Sequence, residues 1–212
     1  MKTGVLIGLA IAIGGIWVGA QTQKAMSPDG TAAAQVGGTW VTSGQAQFSL
    51  GRGTYQGGKW IEVSFGRPLK RGRDLWGSGP NYGKDALVGA PLWRAGANVT
   101  TRLMNEAPMV IAGKTLAPGE YTLFIDLKEN NWTFVVSTLK AQLKYNPDDK
   151  TTVWGAYNYT PDKDVLRAPM KVDTLPHSFE QLSWQFLDMT PTSGTLEVIW
   201  DKVMASVPFT VG

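Results

Sequence analysis

Ala117-Pro118-Gly119-Glu120-Tyr121-Thr122-Leu123-Phe124-Ile125-Asp126, followed by Asn130-Asn131 and then Trp132-Thr133-Phe134-Val135-Val136, is the stretch that decides the fold. Pro118 presets φ and Gly119 accepts φ > 0, so the segment opens on a β-turn. Two runs rich in aromatic and β-branched residues follow, separated by a polar Asn-Asn turn. Each run has the length of a strand, and neither has the spacing of an amphipathic helix.

The same grammar extends in both directions. Ile61, Val63 and Phe65 alternate with Glu62 and Ser64, and Gly66-Arg67-Pro68 ends that strand. Arg102 to Ile111 and Lys114 to Leu116 flank Ala112-Gly113, a hairpin signal. Leu182, Trp184 and Phe186 alternate with polar neighbours, as do Leu196, Val198 and Trp200. Val207, Phe209 and Val211 alternate around Pro208 and Thr210, and Pro208 predicts an edge position. There is no βαβ rhythm and no fixed internal repeat. The pattern predicts an all-β protein, an antiparallel sandwich of jelly-roll or immunoglobulin-like type. One or two helical turns are expected, at Tyr82–Leu87 and at Leu139–Tyr145, where Leu139 and Leu143 lie four apart.

Composition agrees. The 212 residues carry 25 Gly and 12 Pro, with 10% aromatic and 17% charged residues, as befits a turn-rich chain with a sizeable core. Lys2 precedes an uncharged apolar run, Gly4 to Ala20, that ends in small residues. This is the pattern of a secretory signal peptide, with an uncleaved membrane anchor as the alternative. No Cys follows the run, so a lipid anchor is not expected there. Residues 21–38 lack periodicity and read as a flexible tether, leaving 39–212 as a single domain. With no Cys in the chain there is no disulfide and no thiolate metal site. Removing residues 1–20 removes one Lys and lowers the net charge from +3 to +2, too little to imply nucleic-acid binding. The basic group Arg67, Lys70, Arg71 and Arg73 reads as a solvated loop.

Several motifs approach known chemistry and stop short of it. Gly53 to Lys59 has P-loop spacing, but Trp60 stands where Mg²⁺ binding needs Ser or Thr, and a strand follows instead of a helix. It reads as a glycine-rich hairpin loop. Ser137-Thr138-Leu139-Lys140 matches S-x-x-K without its companion motifs in the mature chain. His177, the single histidine, sits in a turn, which argues against a triad or a zinc site. Glu62, Glu106, Glu120, Asp126, Glu180 and Asp188 leave a two-carboxylate hydrolase open. Asn98, Asn131 and Asn158 head N-x-T sequons and read as turn asparagines. No cofactor and no metal ion is implied.

Two segments fit no core strand: Trp93-Arg94-Ala95-Gly96-Ala97-Asn98 and Trp154-Gly155-Ala156-Tyr157-Asn158-Tyr159. Both set bulky aromatics beside glycine and polar groups. They are read either as binding loops, offering stacking faces and fork-like donors, or as plugs that close the ends of the sandwich.

With Gly66-Arg67-Pro68, Lys70-Arg71-Gly72-Arg73, Ile111 to Tyr121, Asp164-Val165-Leu166-Arg167 and Val198 to Lys202, these segments resemble the bacterial family called domain of unknown function 2911. The resemblance covers most of the chain from about residue 55. It implies an exported β-sandwich, periplasmic or extracellular, and carries no activity. Two departures stand out: Val99 where many members have an acidic residue, and a longer Tyr82–Leu92 link. The leading expectation is a non-catalytic protein binding a small molecule, glycan or envelope protein through Arg73, Trp93, Arg94, Asn98, Trp154, Tyr157 and Tyr159. A carboxylate-dependent hydrolase and a purely structural envelope protein are the alternatives. Membrane contact is expected only through the N-terminal segment, if it is retained.

Overall fold

The structure, a computed structural model, describes residues 25–41 and 54–212. The expected signal peptide, the start of the expected tether and Gly53 of the P-loop-like stretch lie outside the described residues.

The strands are β1 (Asp29–Val36), β2 (Thr39–Val41), β3 (Thr54–Gln56), β4 (Lys59–Gly66), β5 (Arg102–Asn105), β6 (Met109–Ile111), β7 (Lys114–Leu116), β8 (Gly119–Asp126), β9 (Thr133–Ser137), β10 (Asp164–Pro169), β11 (Lys171–Leu187) and β12 (Ser193–Val211). A six-stranded sheet runs β1-β4-β5-β8-β9-β10 and packs on a four-stranded sheet, β11-β12-β6-β7. Neighbouring strands pair antiparallel throughout. The chain is therefore an all-β antiparallel sandwich. One helix, α1 (Lys84–Leu87), and two 3₁₀ turns complete the described part.

The deciding stretch forms β8 and β9, paired Leu123↔Val136 and Phe124↔Val135. Its hydrophobic run lacks alternation because both faces are covered. Leu123, Ile125, Phe134 and Val136 enter the sandwich core. Phe124 and Val135 point outward, into a second cluster with Leu92, Val153 and Ala156. The segments 88–100 and 139–159 thus make a third layer over the outer face of the large sheet. The inner core is closed by four tryptophans: Trp93 lies 5.8 Å from Trp132, 5.5 Å from Trp76, and stacks on Trp200 at 6.1 Å and 7°.

Four expectations need correction. The tether read over 21–38 contains a strand: Asp29 to Val36 pair residue for residue with Gly66 to Lys59. Its core-facing residues include Ala32 and Ala34, so small side chains hid the alternation. Leu139–Tyr145 is not helical. Leu139 packs in the outer cluster and Ala141 bridges Val153, so the two leucines sit on an extended loop. Arg102 to Ile111 is two strands, β5 and β6, in different sheets. Pro208 is not on an edge strand. It falls on β12 between Ser206, the last residue paired with β11, and Thr210, the first paired with β6. Among the described residues it has no ladder partner there, so its missing N–H costs nothing. The helical reading of Tyr82–Leu87 agrees with α1.

The glycine-rich loop reading also gains a form. Val36↔Lys59 and Thr39↔Gln56 share one register, so β1-β2 and β3-β4 make a single ribbon interrupted on both strands by glycine pairs, Gly37-Gly38 and Gly57-Gly58. Trp40 and Tyr55 pack at 5.6 Å beyond that break.

Candidate functional site

Trp93-Arg94-Ala95-Gly96-Ala97-Asn98 connects the layers. The Trp93 N–H donates to the Ile125 carbonyl at 2.9 Å, and the Ile125 N–H returns a bond at 2.8 Å, so the segment adds to the open end of β8. The Trp93 ring is 1% exposed. Ala95, at φ 46°, turns its carbonyl to accept from Trp184 Nε1 of the other sheet at 2.8 Å and from Thr101 Oγ1 at 3.2 Å. Gly96 and Gly66 let two backbones touch: a Cβ on Gly66 would stand 2.1 Å from the Ala97 carbonyl oxygen. Asn98, at φ 59°, donates from Nδ2 to the Ser27 carbonyl at 3.3 Å. Its sequon position is a turn asparagine, and Asn158 at φ 66° is another.

Arg94 points the opposite way from Trp93, into the outer layer. Its guanidinium donates to the Asn98 carbonyl at 3.1 Å and lies against Gly155, where a Cβ would stand 2.4 Å from Nη1. Gly155 is required twice, by its φ of +63° and by this approach. Arg94 is half-buried and has no carboxylate partner among the described residues. Burial lowers its pKa, and the neighbouring Tyr157 opposes that. The two signature segments are thus two halves of one contact, arginine on glycine. Thr100 Oγ1 fastens the second half by donating to the carbonyls of Val153 and Gly155 at 3.0 and 2.8 Å.

On the far side of Gly155 the chain turns tightly, Tyr157 N–H to Trp154 carbonyl at 3.1 Å, and the Tyr157 hydroxyl is anchored on the Val88 carbonyl at 2.7 Å. Trp154 and Tyr157 form one wall of a groove of about 380 Å³. Tyr145 packs on Trp154 at 5.5 Å and, with Asn146, Asp149 and Lys150, completes the lining. Tyr145 is 59% and Tyr157 40% exposed. Hydrogen bonds tie the 142–152 part of the lining together. Gln142 is buried, accepts from the Asn146 N–H at 3.0 Å and donates to the Asp149 carbonyl at 3.2 Å. The Asp149 carboxylate accepts from Thr152 Oγ1, from the Thr151 hydroxyl and N–H at 2.8 Å each, and from the Thr152 N–H at 3.2 Å. These bonds, that from the Thr152 hydroxyl foremost, lower its pKa to about 2.

The seven expected site residues do not converge on one spot. Trp154 and Tyr157 line the groove. Arg94 and Asn98 support its wall, and Trp93 is core. Arg73 lies over the Trp200 ring at 5.3 Å and donates to the carbonyls of Lys70 and Leu69 at 3.0 and 2.7 Å, closing the sandwich end. Tyr159 belongs to an ion network: its hydroxyl donates to Asp164 Oδ2 at 2.6 Å, and Arg167 bridges Asp164 and Asp126 at 2.8 and 2.9 Å. Burial, then the bond to Asp164, pushes its phenol up to about 12. A phenol whose folded pKa is raised stabilises the fold below its unfolded pKa, and that contribution is lost as pH rises through 12. Burial also raises the Tyr82 phenol, so ultraviolet titration of the folded protein should show late tyrosine steps, of which the one near pH 12 is absent from Tyr159→Phe. An unchanged step near pH 12 in that variant refutes the assignment.

Tyr145, Asn146, Asp149 and Lys150 are not among the expected site residues: Tyr145 ends the stretch expected to be helical, and the other three belong to no motif read above. The Asn146-Pro147-Asp148 turn string was the available signal. No three acidic or histidine side chains gather to hold a metal among the described residues.

No curated protein and no solved structure matches this chain. A family profile described as "Protein of unknown function (DUF2911)" matches residues 51–209, which include both signature segments and the β-sandwich strands from β3 onward. The arginine-on-glycine contact joins two of the stretches that carried the resemblance, and the chain belongs to the DUF2911 family.

Proposed function

We propose that this chain is an exported, non-catalytic glycan-binding protein whose ligand lies in the groove lined by Tyr145, Trp154 and Tyr157. Three partly exposed rings beside fixed polar groups carry the reading. Sugar rings present apolar C–H faces that stack on aromatic side chains and hydroxyls that need donors and acceptors. The groove supplies both on a prearranged frame, which lowers the ordering cost of binding. Export is supported by the charged start and apolar run of residues 2–20.

The hydrolase alternative needs two carboxylates flanking one bond. Among the described residues Asp149 is the one carboxylate lining the groove, and its oxygens are occupied by threonines.

Trp154→Ala should weaken binding of the best ligand on a glycan array by about 5- to 30-fold, the equivalent of ~1–2 kcal/mol of ring contact. The Tm should change little, because the Trp154 ring is not part of either buried cluster. Unchanged affinity in Trp154→Ala and Tyr157→Ala, or no glycan bound at all, defeats the proposal.

A further inference from the structure

A second cavity of about 310 Å³ is lined by none of the seven expected site residues, though Val99, the departure from the family pattern, lines it. Its floor is the outer face of the large sheet. Thr31, Ser64 and Arg102 stand in register across β1, β4 and β5. Its walls are Asp29, Thr100 and Leu143. The two cavities adjoin through the chain itself. Gln142 lines the groove and Leu143 the cavity, while Thr100 of the cavity wall holds Gly155 between Trp154 and Tyr157.

Among the described residues Arg102 is the one cation lining this cavity. Its only ionic partner among them is Glu120, at 3.5 Å, with side-chain exposures of 29% and 60%. A long contact between solvated groups holds little energy. Nε of Arg102 is buried and has no hydrogen-bond partner among the described residues. The guanidinium is thus incompletely satisfied and weakly committed, and its fork suits a carboxylate. The second charged group, Asp29, has the opposite sign. A carboxylate there accepts hydroxyl protons, as a polyhydroxylated ring requires, and disfavours a ligand carrying several anionic groups. Lys150, lining the groove, adds a second positive charge along the path.

Resting on the glycan reading above, we infer that the preferred glycan is a uronate-bearing oligosaccharide. Its neutral rings stack in the aromatic groove, and one hexuronate occupies the second cavity. The carboxylate of that hexuronate pairs with Arg102 and its hydroxyls donate to Asp29. Glu120 competes with the ligand for the same guanidinium.

The test uses matched glycans on the full chain: hexuronate-containing oligosaccharides, the same compounds as methyl esters, and neutral hexose oligosaccharides of equal length. Wild-type protein should bind the acids about tenfold more tightly than their esters, and added salt should narrow that gap. Arg102→Gln should erase the preference, bringing acid affinity down to that of the ester, and Glu120→Gln should increase affinity for the acid two- to threefold. A melting curve confirms that each variant is folded. Equal affinity for acid and ester, or a preference that survives Arg102→Gln, overturns the uronate site and leaves the aromatic groove standing. Failure of every glycan to bind overturns both.

Discussion

Trp93→Ala should destabilise the protein by about 3–5 kcal/mol, the range for truncating a fully buried large aromatic side chain. In a domain of this size that corresponds to a fall in Tm of roughly 6–20 °C. The ring is 1% exposed and touches Trp76, Trp132 and Trp200, which come from three other parts of the chain. Removing it leaves a cavity where four indoles met and weakens the edge of β8, whose Ile125 pairs with the Trp93 backbone. Typical total stabilities of ~5–15 kcal/mol place the variant near its folding threshold. Thermal unfolding followed by tryptophan fluorescence reads the effect. A loss below about 1 kcal/mol would show that the cluster collapses around the gap and that Trp93 is no keystone. The contrast with Trp154→Ala is informative, because the two tryptophans open similar sequence motifs. One should report on stability and the other on binding.

Gly66→Ala is the second large effect. The added Cβ would stand 2.1 Å from the Ala97 carbonyl oxygen and 2.8 Å from its carbon, both backbone atoms with no rotamer to escape into. Either β4 must shift at its last pair, Asp29↔Gly66, or the Arg94–Asn98 turn must lift from the sheet. Overpacking of this kind costs about 1–3 kcal/mol or more, and a backbone obstacle belongs at the upper end. Lifting the turn also drags Arg94 off Gly155, so glycan affinity should fall along with Tm. Hydrogen exchange should show amides of residues 93–98 losing protection before those of β8 and β9. A variant with wild-type Tm would mean that the two backbones are not in contact.

Much of the sandwich was legible because a strand with one wet face writes its geometry into alternate residues, as Ile61, Val63 and Phe65 do. Legibility failed where that condition failed. β1 uses alanine for its core contacts, and alanine gives little contrast with Thr31 or Gln35. In Leu139–Tyr145 two leucines at helical spacing masked an extended loop, since position 139 answers to an apolar cluster and position 143 to solvent. Of the site, sequence supplied Trp154 and Tyr157. Tyr145, Asp149 and Lys150 join them through hydrogen bonds of Gln142 and of two threonines, which leave no periodic trace.

The amino-acid sequence by itself determined that this is an all-β, cysteine-free chain, and that two aromatic-and-glycine segments interrupt its strands. Those are local properties, set by φ preferences, side-chain volume and period. Only the tertiary structure decided where the side chains of the segments lie. Trp93 and Trp154 open them alike, yet one ring is core and the other lines a groove. Which it becomes depends on how each segment meets β8, the first by a backbone bridge to Ile125 and the second by packing on Phe124 of its outer face, and on Arg94 and Gly155 meeting across about sixty residues of chain. A contact of that range is a property of packing, and no local preference encodes it.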